Sequence, residues 1–246
     1  MKIALVQFDA VPEDVAGNLA KMTSWVRKAT AQNANVVMFH EASLTDFVSD
    51  VSLFAQTVPA GEACQTMKQL AEEQKIIISF GLLEKAGDQY YITQVFFGPD
   101  HFYHKYRKTN LHEPNDPQKA AKRFRDETSY FAPGMGPKIF ELGGHRVACM
   151  ICADGNNNEL LDNIRRMKPD FVLYPNNRTR PWSDEYWQAI VTKIGAPLLI
   201  TNRVGESWGY SSRGGVAVYN SHGILIKRAN LDGREEMMIV DTQEFI

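Results

Sequence analysis

Residues 147–159 read VACMICADGNNNE, and the order of residue types in this stretch sets the expected fold. The apolar run predicts a buried strand, the Gly/Asn-rich turn ends it, and a helical pattern follows over residues 159–167. Cys152 therefore lies where a strand gives way to a helix. Ligands of open α/β sheets bind at such strand ends, and N–H groups that begin a helix favour a thiolate or an oxyanion. Local chemistry thus nominates Cys152 as a nucleophile.

Two other interpretations of Cys152 remain open at this point. A free cysteine is often a small buried hydrophobe that only fills space. Cys149 and Cys152 also form a C-x-x-C spacing, but redox motifs of that kind sit on a turn and helix start rather than in an apolar strand. A zinc site would need more ligands than the sequence offers nearby, so no metal is expected.

The composition indicates one globular domain over residues 1–246, since 44% of the residues are hydrophobic and 23% are charged. A net charge of -2 without a basic patch argues against a nucleic-acid partner, and the short basic segment 119–125 is expected to be solvated. No apolar run approaches the roughly 18 residues that span a membrane. The N-terminus is predicted to be a strand rather than a signal peptide. An odd count of three cysteines indicates a reducing, cytoplasmic setting.

Strand and helix patterns alternate along the chain and predict an α/β fold. A strand–helix–strand unit near the N-terminus ends at Glu41, and a second such unit carries Cys152 at the end of its first strand. Two such halves stacked sheet to sheet predict a four-layer αββα sandwich of two mixed sheets with a pseudo-twofold internal repeat. Residues 45–57 are expected to form a loop with some helix. The predicted strands are 3–8, 35–39, 76–84, 90–97, 102–106, 138–142, 145–151, 170–174, 197–202, 214–219, 224–228 and 237–240; the predicted helices are 14–32, 62–74, 159–167 and 183–194.

Glu41, Lys108 and Glu127 are further candidates for chemistry. Glu41 directly follows a buried strand, Lys108 follows a later strand, and Glu127 lies in a polar stretch, residues 108–133, that has no strong periodicity. Each has an ordinary alternative as a loop or surface charge. Together with Cys152, however, they supply the nucleophile, the base and the cation that a thiol acyl-transfer enzyme needs.

These residues stand in motifs that resemble those of the nitrilase, or carbon–nitrogen hydrolase, superfamily, in the same order and over nearly the whole chain. Glu41 ends the motif VVMFHE, although His40 stands where proline is usual, and Lys108 lies in YRKTNL. Cys152 opens the motif CAD, and Glu127 precedes the stretch YFAPG. The segment TNRVG, residues 201–205, matches the Asn…Gly strand end of the family.

The resemblance implies a role for each of these residues. Glu41 would be the general base for Cys152. Lys108 and the backbone N–H of Ala153 would hold the oxyanion, and Glu127 would orient Lys108 or the substrate nitrogen. The resemblance implies neither a metal nor an organic cofactor, and it implies a homodimer or a higher homo-oligomer.

The leading hypothesis is hydrolysis of the C–N bond of a small linear amide. The sequence CADGNNNE resembles the C-x-D-G-x-x-P-E pattern of aliphatic amidases and formamidases, with Asn158 in place of the proline. Alternatives are an N-carbamoyl amidohydrolase, a nitrilase proper, a glutaminase-like subunit that feeds ammonia to a partner, and a silent binding or regulatory module on the same fold.

The substrate pocket is expected to involve Tyr130, Asn176 and Trp182, with Phe131 as part of an apolar floor. Its walls would come from the loops 45–47, 112–131 and 176–182. Aromatic residues of this kind are often ordinary core. Arg178 and Arg180 are either acceptors of a substrate carboxylate or plain surface charges.

Overall fold

The computed structural model describes residues 1–113 and 126–246, and these form an α/β fold with two six-stranded sheets. The first sheet has the strand order β14-β1-β2-β3-β4-β5. Its strands are β1 (Lys2–Gln7), β2 (Val36–Met38), β3 (Ile77–Ala86), β4 (Gln89–Phe97), β5 (Tyr103–Arg107) and β14 (Glu236–Asp241). The pairs β1–β2 and β2–β3 are parallel, and the outer pairs are antiparallel.

The second sheet has the order β13-β12-β9-β8-β7-β6. Its strands are β6 (Phe140–Leu142), β7 (His145–Cys149), β8 (Phe171–Pro175), β9 (Leu198–Thr201), β12 (Ala217–Tyr219) and β13 (Leu225–Arg228). Again the two central pairs, β7–β8 and β8–β9, are parallel and the outer pairs are antiparallel. A separate hairpin pairs β10 (Val204–Ser207) with β11 (Tyr210–Arg213).

Five α-helices are present in the described part of the chain: α1 (Val15–Ala31), α2 (Val51–Phe54), α3 (Glu62–Gln74), α4 (Asn158–Met167) and α5 (Asp184–Ile194). Their ends follow capping chemistry. The Asp14 carboxylate accepts from the N–H of Gly17 at the start of α1, and the Asn157 side chain accepts from Leu160 N–H at the start of α4. Helix α5 ends at Ile194, and the capping residue that follows, Gly195, has a φ of 67°, which suits a residue without a Cβ.

Three apolar clusters define the layers. One packs α1 and α3 against the outer face of the first sheet, and another packs α4 and α5 against the outer face of the second sheet. The third lies between the two sheets and draws on both of them, for example Leu5 and Met38 from the first and Cys149 and Leu173 from the second. The layer order is therefore helix, sheet, sheet, helix, as the sequence predicted.

The two sheets repeat one pairing pattern, which confirms the predicted internal repeat. Reading each sheet from its first antiparallel edge, β14, β1 and β2 correspond to β6, β7 and β8. Cys152 thus follows the counterpart of β1, whereas Glu41 follows β2. The residue after β8, Asn176, is the counterpart of the region that holds Glu41.

Most predicted elements are present with ends shifted by a few residues, and α3 has the predicted bounds. The β10–β11 hairpin was not predicted. Within 45–57, the expected short helix is α2. Part of the polar stretch 108–133 and nearly all of the basic segment 119–125 lie outside the described residues. In the described ranges, no helix has the length and apolar character needed to cross a membrane.

Candidate active site

The structure brings Cys152, Glu41, Lys108 and Glu127 together near the carboxyl ends of strands from both sheets. Glu41 follows β2, Lys108 follows β5, and Cys152 follows β7 of the facing sheet. Glu127 begins a short 3-10 turn, Glu127–Ser129. Because the two sheets face each other, these strand ends converge at one place although the residues come from both halves of the chain.

Lys108 is the centre of this cluster. Its Nζ lies 2.7 Å from Glu41 Oε1 and 2.7 Å from Glu127 Oε1, and all three side chains are buried. Burial alone would lower the pKa of Lys108, but the carboxylates of Glu127 and Glu41 outweigh it and hold the pKa well above the ordinary lysine value. Lys108 is therefore a permanent cation. An ammonium has three N–H donors, and within the described residues only two of them have a partner.

Glu41 keeps one oxygen free for proton transfer. Oε1 accepts from Lys108, whereas Oε2 has no hydrogen-bond partner among the described residues. Burial raises the pKa of the Glu41 carboxyl, the nearby Lys108 opposes that rise, and Glu127 adds to it; the net pKa is raised. The Cys152 thiol is close enough to be among the groups that lower this pKa. A carboxylate with a raised pKa beside a thiol is suited to act as its base.

Cys152 sits on a strained turn directly after β7. Its φ is 42°, in the left-handed region, and it begins the 3-10 turn Cys152–Asn156. Such a backbone costs on the order of 1–3 kcal/mol and persists only where its surroundings fix it. Burial and the negative Glu41 raise the pKa of the thiol to about 12 despite the opposing charge of Lys108. The thiol is therefore neutral at pH 7, so a nucleophilic role requires a base.

Glu127 is held by both of its carboxylate oxygens. Oε1 accepts from Lys108, and Oε2 accepts from the backbone N–H of His112 at 2.7 Å. The Glu127 N–H in turn donates to the His112 carbonyl at 3.1 Å. This fixed carboxylate fits the predicted task of orienting Lys108.

His40, which stands where proline is usual in the resembled motif, is buried and neutral. Burial lowers the pKa of its imidazole to about 3, with smaller opposing effects from hydrogen bonds. Its Nδ1–H donates to the Glu41 carbonyl at 2.9 Å, and its ring packs 4.8 Å from that of Phe8. These contacts fix the position of the Glu41 backbone.

Two backbone contacts also position Glu41. Its N–H donates to the Asn176 carbonyl at 3.3 Å, which links the equivalent strand ends of the two halves. Strand β3 passes so close to this turn that a Cβ on Gly81 would lie 2.3 Å from Ala42 N. Glycine is therefore required at position 81, because a methyl group there would push the base out of place.

Asp154 connects the cysteine turn to the lysine loop and was not assigned a role from the sequence. Its Oδ2 accepts from Ile151 N–H and the Tyr106 hydroxyl, both at 2.7 Å. Its Oδ1 accepts from Thr109 N–H at 3.0 Å and Asn110 N–H at 2.6 Å. Burial raises the pKa of Asp154 to about 6 in spite of these donors. One buried carboxylate thus fixes the position of Cys152 relative to Lys108.

We expect Asp154→Asn to lower both activity and stability. An amide cannot accept all four hydrogen bonds, and each buried donor left without a partner costs roughly 1–3 kcal/mol. Thermal unfolding should shift down by several degrees and kcat should fall more than tenfold. Asp162→Asn is the matched control. Asp162 lies in α4, is half exposed and pairs with Lys193, so its substitution should leave the unfolding temperature and kcat nearly unchanged. Equal behaviour of the two variants would contradict the linking role.

A second buried carboxylate cluster joins the two halves beside the site. Arg203, which follows β9, is fully buried, and its Nη1 donates to Asp46 Oδ2 at 2.6 Å. Asp46 Oδ1 also accepts from the Asn177 side chain at 2.7 Å. The loop after Glu41 is therefore tied to the loops after β8 and β9. In the sequence, Arg203 was noted only as part of TNRVG, residues 201–205, which resembles a motif of the family.

Two of the predicted pocket residues, Tyr130 and Trp182, line separate cavities in the part of the chain that the structure describes. Tyr130 is about two-fifths exposed and lines a small depression with Phe131 and Phe47. Trp182 lines a different cavity of about 170 Å³ together with Arg178 and Arg180. Asn176 is buried at the strand end, and its Oδ1 has no hydrogen-bond partner among the described residues. Two of the three candidates contact a catalytic candidate through the backbone: the Asn176 carbonyl accepts from the Glu41 N–H, and the Tyr130 N–H donates to the Glu127 carbonyl at 3.2 Å.

A metal ligand set is not found in the part of the chain that the structure describes: no group of three or more His, Cys, Asp or Glu side chains there could hold an ion.

Comparison with known proteins gives a consistent result. The sequence profile of the carbon-nitrogen hydrolase family matches residues 2–244. A nitrilase of Pyrococcus abyssi is 28% identical over 214 residues, which are 85% of this chain and 77% of that protein. An omega-amidase of Danio rerio is 26% identical over 254 aligned positions, covering 97% of this chain and 86% of that protein.

The fold also matches solved structures. An amidase from Nesterenkonia sp. superposes with a TM-score of 0.84 at 21% identity, over 98% of this chain and 89% of that chain. A variant of the same amidase has been solved with acrylamide added to its active-site cysteine. The resemblance seen in the sequence motifs is thereby confirmed.

Proposed function

The chain belongs to the carbon–nitrogen hydrolase family, and from that premise we propose that it hydrolyses the amide bond of a small linear amide through a thioester on Cys152. One observation carries the proposal. A neutral thiol meets two groups that have no hydrogen-bond partner among the described residues, Glu41 Oε2 and one N–H of Lys108, in a buried site. A nucleophile, a proton acceptor and an oxyanion donor are what amide cleavage needs.

In the first step Glu41 takes the proton of Cys152 as Sγ attacks the amide carbonyl carbon. A pKa of about 12 leaves almost no free thiolate at pH 7, so proton transfer has to accompany attack. The proton has a natural destination in Glu41 Oε2. Such general base catalysis contributes roughly 10²–10⁴-fold.

The oxyanion formed by this attack lies next to the ammonium group of Lys108. When Glu41 becomes neutral, Lys108 loses one of its two anionic partners and gains the oxyanion in its place. The total charge of the buried site does not change, so no new charge has to be desolvated. The N–H of Ala153, at the start of the 3-10 turn, is the second proposed donor.

The C–N bond then breaks, and protonated Glu41 returns its proton to the leaving nitrogen. Ammonia or an amine departs and the acyl group remains on Cys152. Glu41, again a carboxylate, takes a proton from water as the water attacks the thioester. The C–S bond then breaks, Glu41 returns that proton to Sγ, and the acid leaves with the thiol and the carboxylate restored. Asn176 Oδ1 is our candidate acceptor for an N–H of the substrate amide.

We expect Lys108→Met to fold and to lose most of kcat. Loss of one oxyanion donor costs about 10²–10³-fold, and without the Lys108 charge the raised pKa of Glu41 would rise further, which removes the ionised base. Lys105→Met is the matched control, because Lys105 on β5 also binds a buried carboxylate, Glu84, at 2.6 Å but lies away from the thiol. A loss of less than tenfold for Lys108→Met would exclude Lys108 from oxyanion stabilisation.

The reaction class is tested by ammonia release from a panel of amides, N-carbamoyl compounds and nitriles. Linear amides should release ammonia together with an equal amount of the carboxylic acid. Carbon dioxide released with the ammonia would indicate the N-carbamoyl alternative instead. Silence across the panel, together with a Cys152 that acrylamide does not label, would favour a binding module on this fold.

Three properties beyond the chemistry are also proposed. Residues 1–246 form a single domain, the chain pairs as a homodimer, and the protein works in a reducing cytoplasm. The odd number of cysteines, all of them free in the structure, supports the last of these. A monomer in sedimentation at micromolar concentration would rule out the dimer.

A further inference from the structure

A buried tyrosine contacts the turn that carries the nucleophile, and the mechanism above does not use it. Tyr174 lies on β8 and is fully buried. Its hydroxyl donates to the carbonyl of Cys152. Burial raises the pKa of this hydroxyl well above the ordinary tyrosine value, so the group keeps its proton and remains a donor at neutral and mildly alkaline pH.

Tyr174 reaches the cysteine turn from the helical side of the second sheet. Side chains alternate along β8, so Leu173 packs in the cluster between the two sheets and Tyr174 packs in the outer cluster with α4 and α5. The ring of Tyr174 packs edge to face against Trp187 of α5, with the ring centroids 5.7 Å apart. Cys152, in contrast, packs against the cluster between the sheets. The tyrosine and the cysteine side chain therefore belong to different layers of the fold.

Gly155, in the same 3-10 turn as Cys152, makes room for the tyrosine hydroxyl. A Cβ at position 155 would overlap this hydroxyl and would lie 2.9 Å from Tyr174 Cζ. A larger residue there would push the hydroxyl away from the Cys152 carbonyl, because a glycine is what permits so close an approach to the backbone. The contact between Tyr174 and the turn thus depends on a residue from each of the two elements.

The Cys152 carbonyl belongs to the same peptide group as the Ala153 N–H, the second proposed oxyanion donor. A peptide group is planar and trans, so its carbonyl oxygen and its N–H point in opposite directions. A donor that fixes the carbonyl therefore also fixes the direction of the N–H. Connected hydrogen bonds also polarise one another, so a donor on the carbonyl strengthens the N–H of the same group as a donor.

This peptide group follows a strained residue and is supported by side chains. The φ of 42° at Cys152 lies in the left-handed region, which persists only where the surroundings fix it. The next carbonyl along the chain, that of Ala153, accepts from Asn110 Nδ2 at 2.7 Å. Side-chain donors thus hold the carbonyls on both sides of the Ala153 Cα. The Ala153 N–H lies at the start of a helical turn, where N–H groups have no partner within the turn.

We propose that Tyr174 is a positioning residue whose hydroxyl orients and polarises the Cys152–Ala153 peptide group, so that the Ala153 N–H donates to the oxyanion. This inference rests on the proposed amide hydrolysis and adds a residue to it. Tyr174 touches neither the substrate nor the reacting atoms, and it acts through the peptide group alone.

The kinetic test uses Tyr174→Phe, which removes the hydroxyl and keeps the ring contact with Trp187, so the variant should fold. Because the oxyanion forms only during the reaction, kcat should fall by about 10- to 100-fold, whereas KM should stay within about threefold. The pH at which activity falls on the acid side should not move, because Glu41 is unchanged.

Tyr219→Phe is the matched control. Tyr219 is also fully buried in the outer cluster of the second sheet, but its hydroxyl donates to Asp184 Oδ1 at 2.6 Å, away from the cysteine turn. Its kcat should stay within about threefold of the wild-type value. Thermal unfolding of both variants shows how much stability each hydroxyl contributes.

Alkylation separates the proposed role from simple support of the turn. Iodoacetamide forms a C–S bond with Cys152 as its C–I bond breaks; iodide leaves, the thiol proton goes to Glu41, and no oxyanion forms. The rate at which the Cys152 peptide of Tyr174→Phe is labelled should therefore stay within about threefold of wild type. A kcat that falls less than about threefold would overturn the inference. Equal losses of kcat and of labelling rate would also overturn it, since Tyr174 would then only support the turn.

A spectroscopic measurement addresses the peptide group directly and needs no turnover. Cys152 and Ala153 form the one Cys–Ala pair in the sequence, so cysteine labelled with ¹³C at its carbonyl and alanine labelled with ¹⁵N give a single correlated NMR signal. The probe is propionaldehyde: Sγ adds to its carbonyl carbon, the thiol proton passes to its oxygen, and nothing leaves. The wild-type signal should move as the aldehyde binds, and Tyr174→Phe should weaken this binding by about tenfold.

Failure of the proposed function gives a different result. It would appear as no ammonia from any amide, and the aldehyde titration would then decide the role of Tyr174. Weaker aldehyde binding in Tyr174→Phe, but not in Tyr219→Phe, would support that role. Equal aldehyde binding by wild type and Tyr174→Phe, or a wild-type signal that does not respond to the aldehyde, would overturn it.

Discussion

The Cys152→Ala variant is expected to fold normally and to lose turnover by on the order of 10⁴-fold or more. Without the thiol no covalent intermediate forms, and the remaining oxyanion donors act only on a water that nothing positions for attack. Stability should change little, because Cys152 is partly exposed and alanine meets the same backbone strain at a φ of 42°. Ammonia release and thermal unfolding, measured on the same preparation, check both statements.

The matched control is Cys149→Ala, which removes a chemically identical group three residues earlier. Cys149 is buried in the core between the sheets, and burial raises the pKa of its thiol well above the ordinary value. Its replacement should lower stability modestly and leave kcat nearly unchanged. Loss of activity in both variants, with both folded, would point instead to a C-x-x-C pair that acts together. Full activity in Cys152→Ala would end the assignment of the nucleophile.

Glu41→Gln is expected to lower kcat by about 10²–10⁴-fold with little change in structure. Glutamine has the same shape and still accepts from Lys108, but it cannot take the thiol proton. The pH dependence of wild-type activity should also show that Glu41 acts as a base. A base must be ionised, so activity should fall as pH drops through the raised pKa of Glu41, and the acid limb should lie above the ordinary carboxyl range. The residual activity of Glu41→Gln should lack that limb.

Glu84→Gln is the control for the loss of a buried carboxylate. Glu84 lies on β3 and accepts from Lys105 and Arg107, at 2.6 and 2.7 Å. Its substitution leaves two cations without their partner and should reduce stability. It should not move the acid limb of the pH profile. If Glu41→Gln retained that limb and most of kcat, another group would have to be the base.

The fold followed from the sequence because its signals are local. Apolar runs of strand length, helical periodicity and capping residues such as Asp14 and Ser183 each depend on a few neighbouring residues. The β10–β11 hairpin lacked such a signal. Its strands VGES and YSSR hold few apolar residues and show no clear alternation, and its turn at Trp208 and Gly209 depends on two residues with positive φ.

The candidate site was predicted in its residues but not in its connections. Strand ends converge in this kind of sheet, so Glu41, Lys108 and Cys152 could be nominated one by one. The four hydrogen bonds of Asp154 join segments up to 48 residues apart, and no local pattern announces them. No local pattern predicts the cavity beside Arg178 either, because its walls come from segments that only the tertiary fold brings together. For that reason the sequence did not show that Tyr130 and Trp182 each line a separate cavity among the described residues.

The most direct test of the thiol mechanism is to follow the acyl group on the enzyme. Wild-type protein, in excess, would be mixed with an amide that it hydrolyses, and samples would be quenched in acid at successive times. Each sample would be digested and the mass of the Cys152 peptide measured by mass spectrometry. Ammonia and free acid would be assayed in the same samples. Ammonia should appear before the acid, and the difference between them should be found as an acyl group on Cys152. Ammonia and acid released in step at every time, with the acyl group absent from Cys152 or attached to another residue, would contradict it.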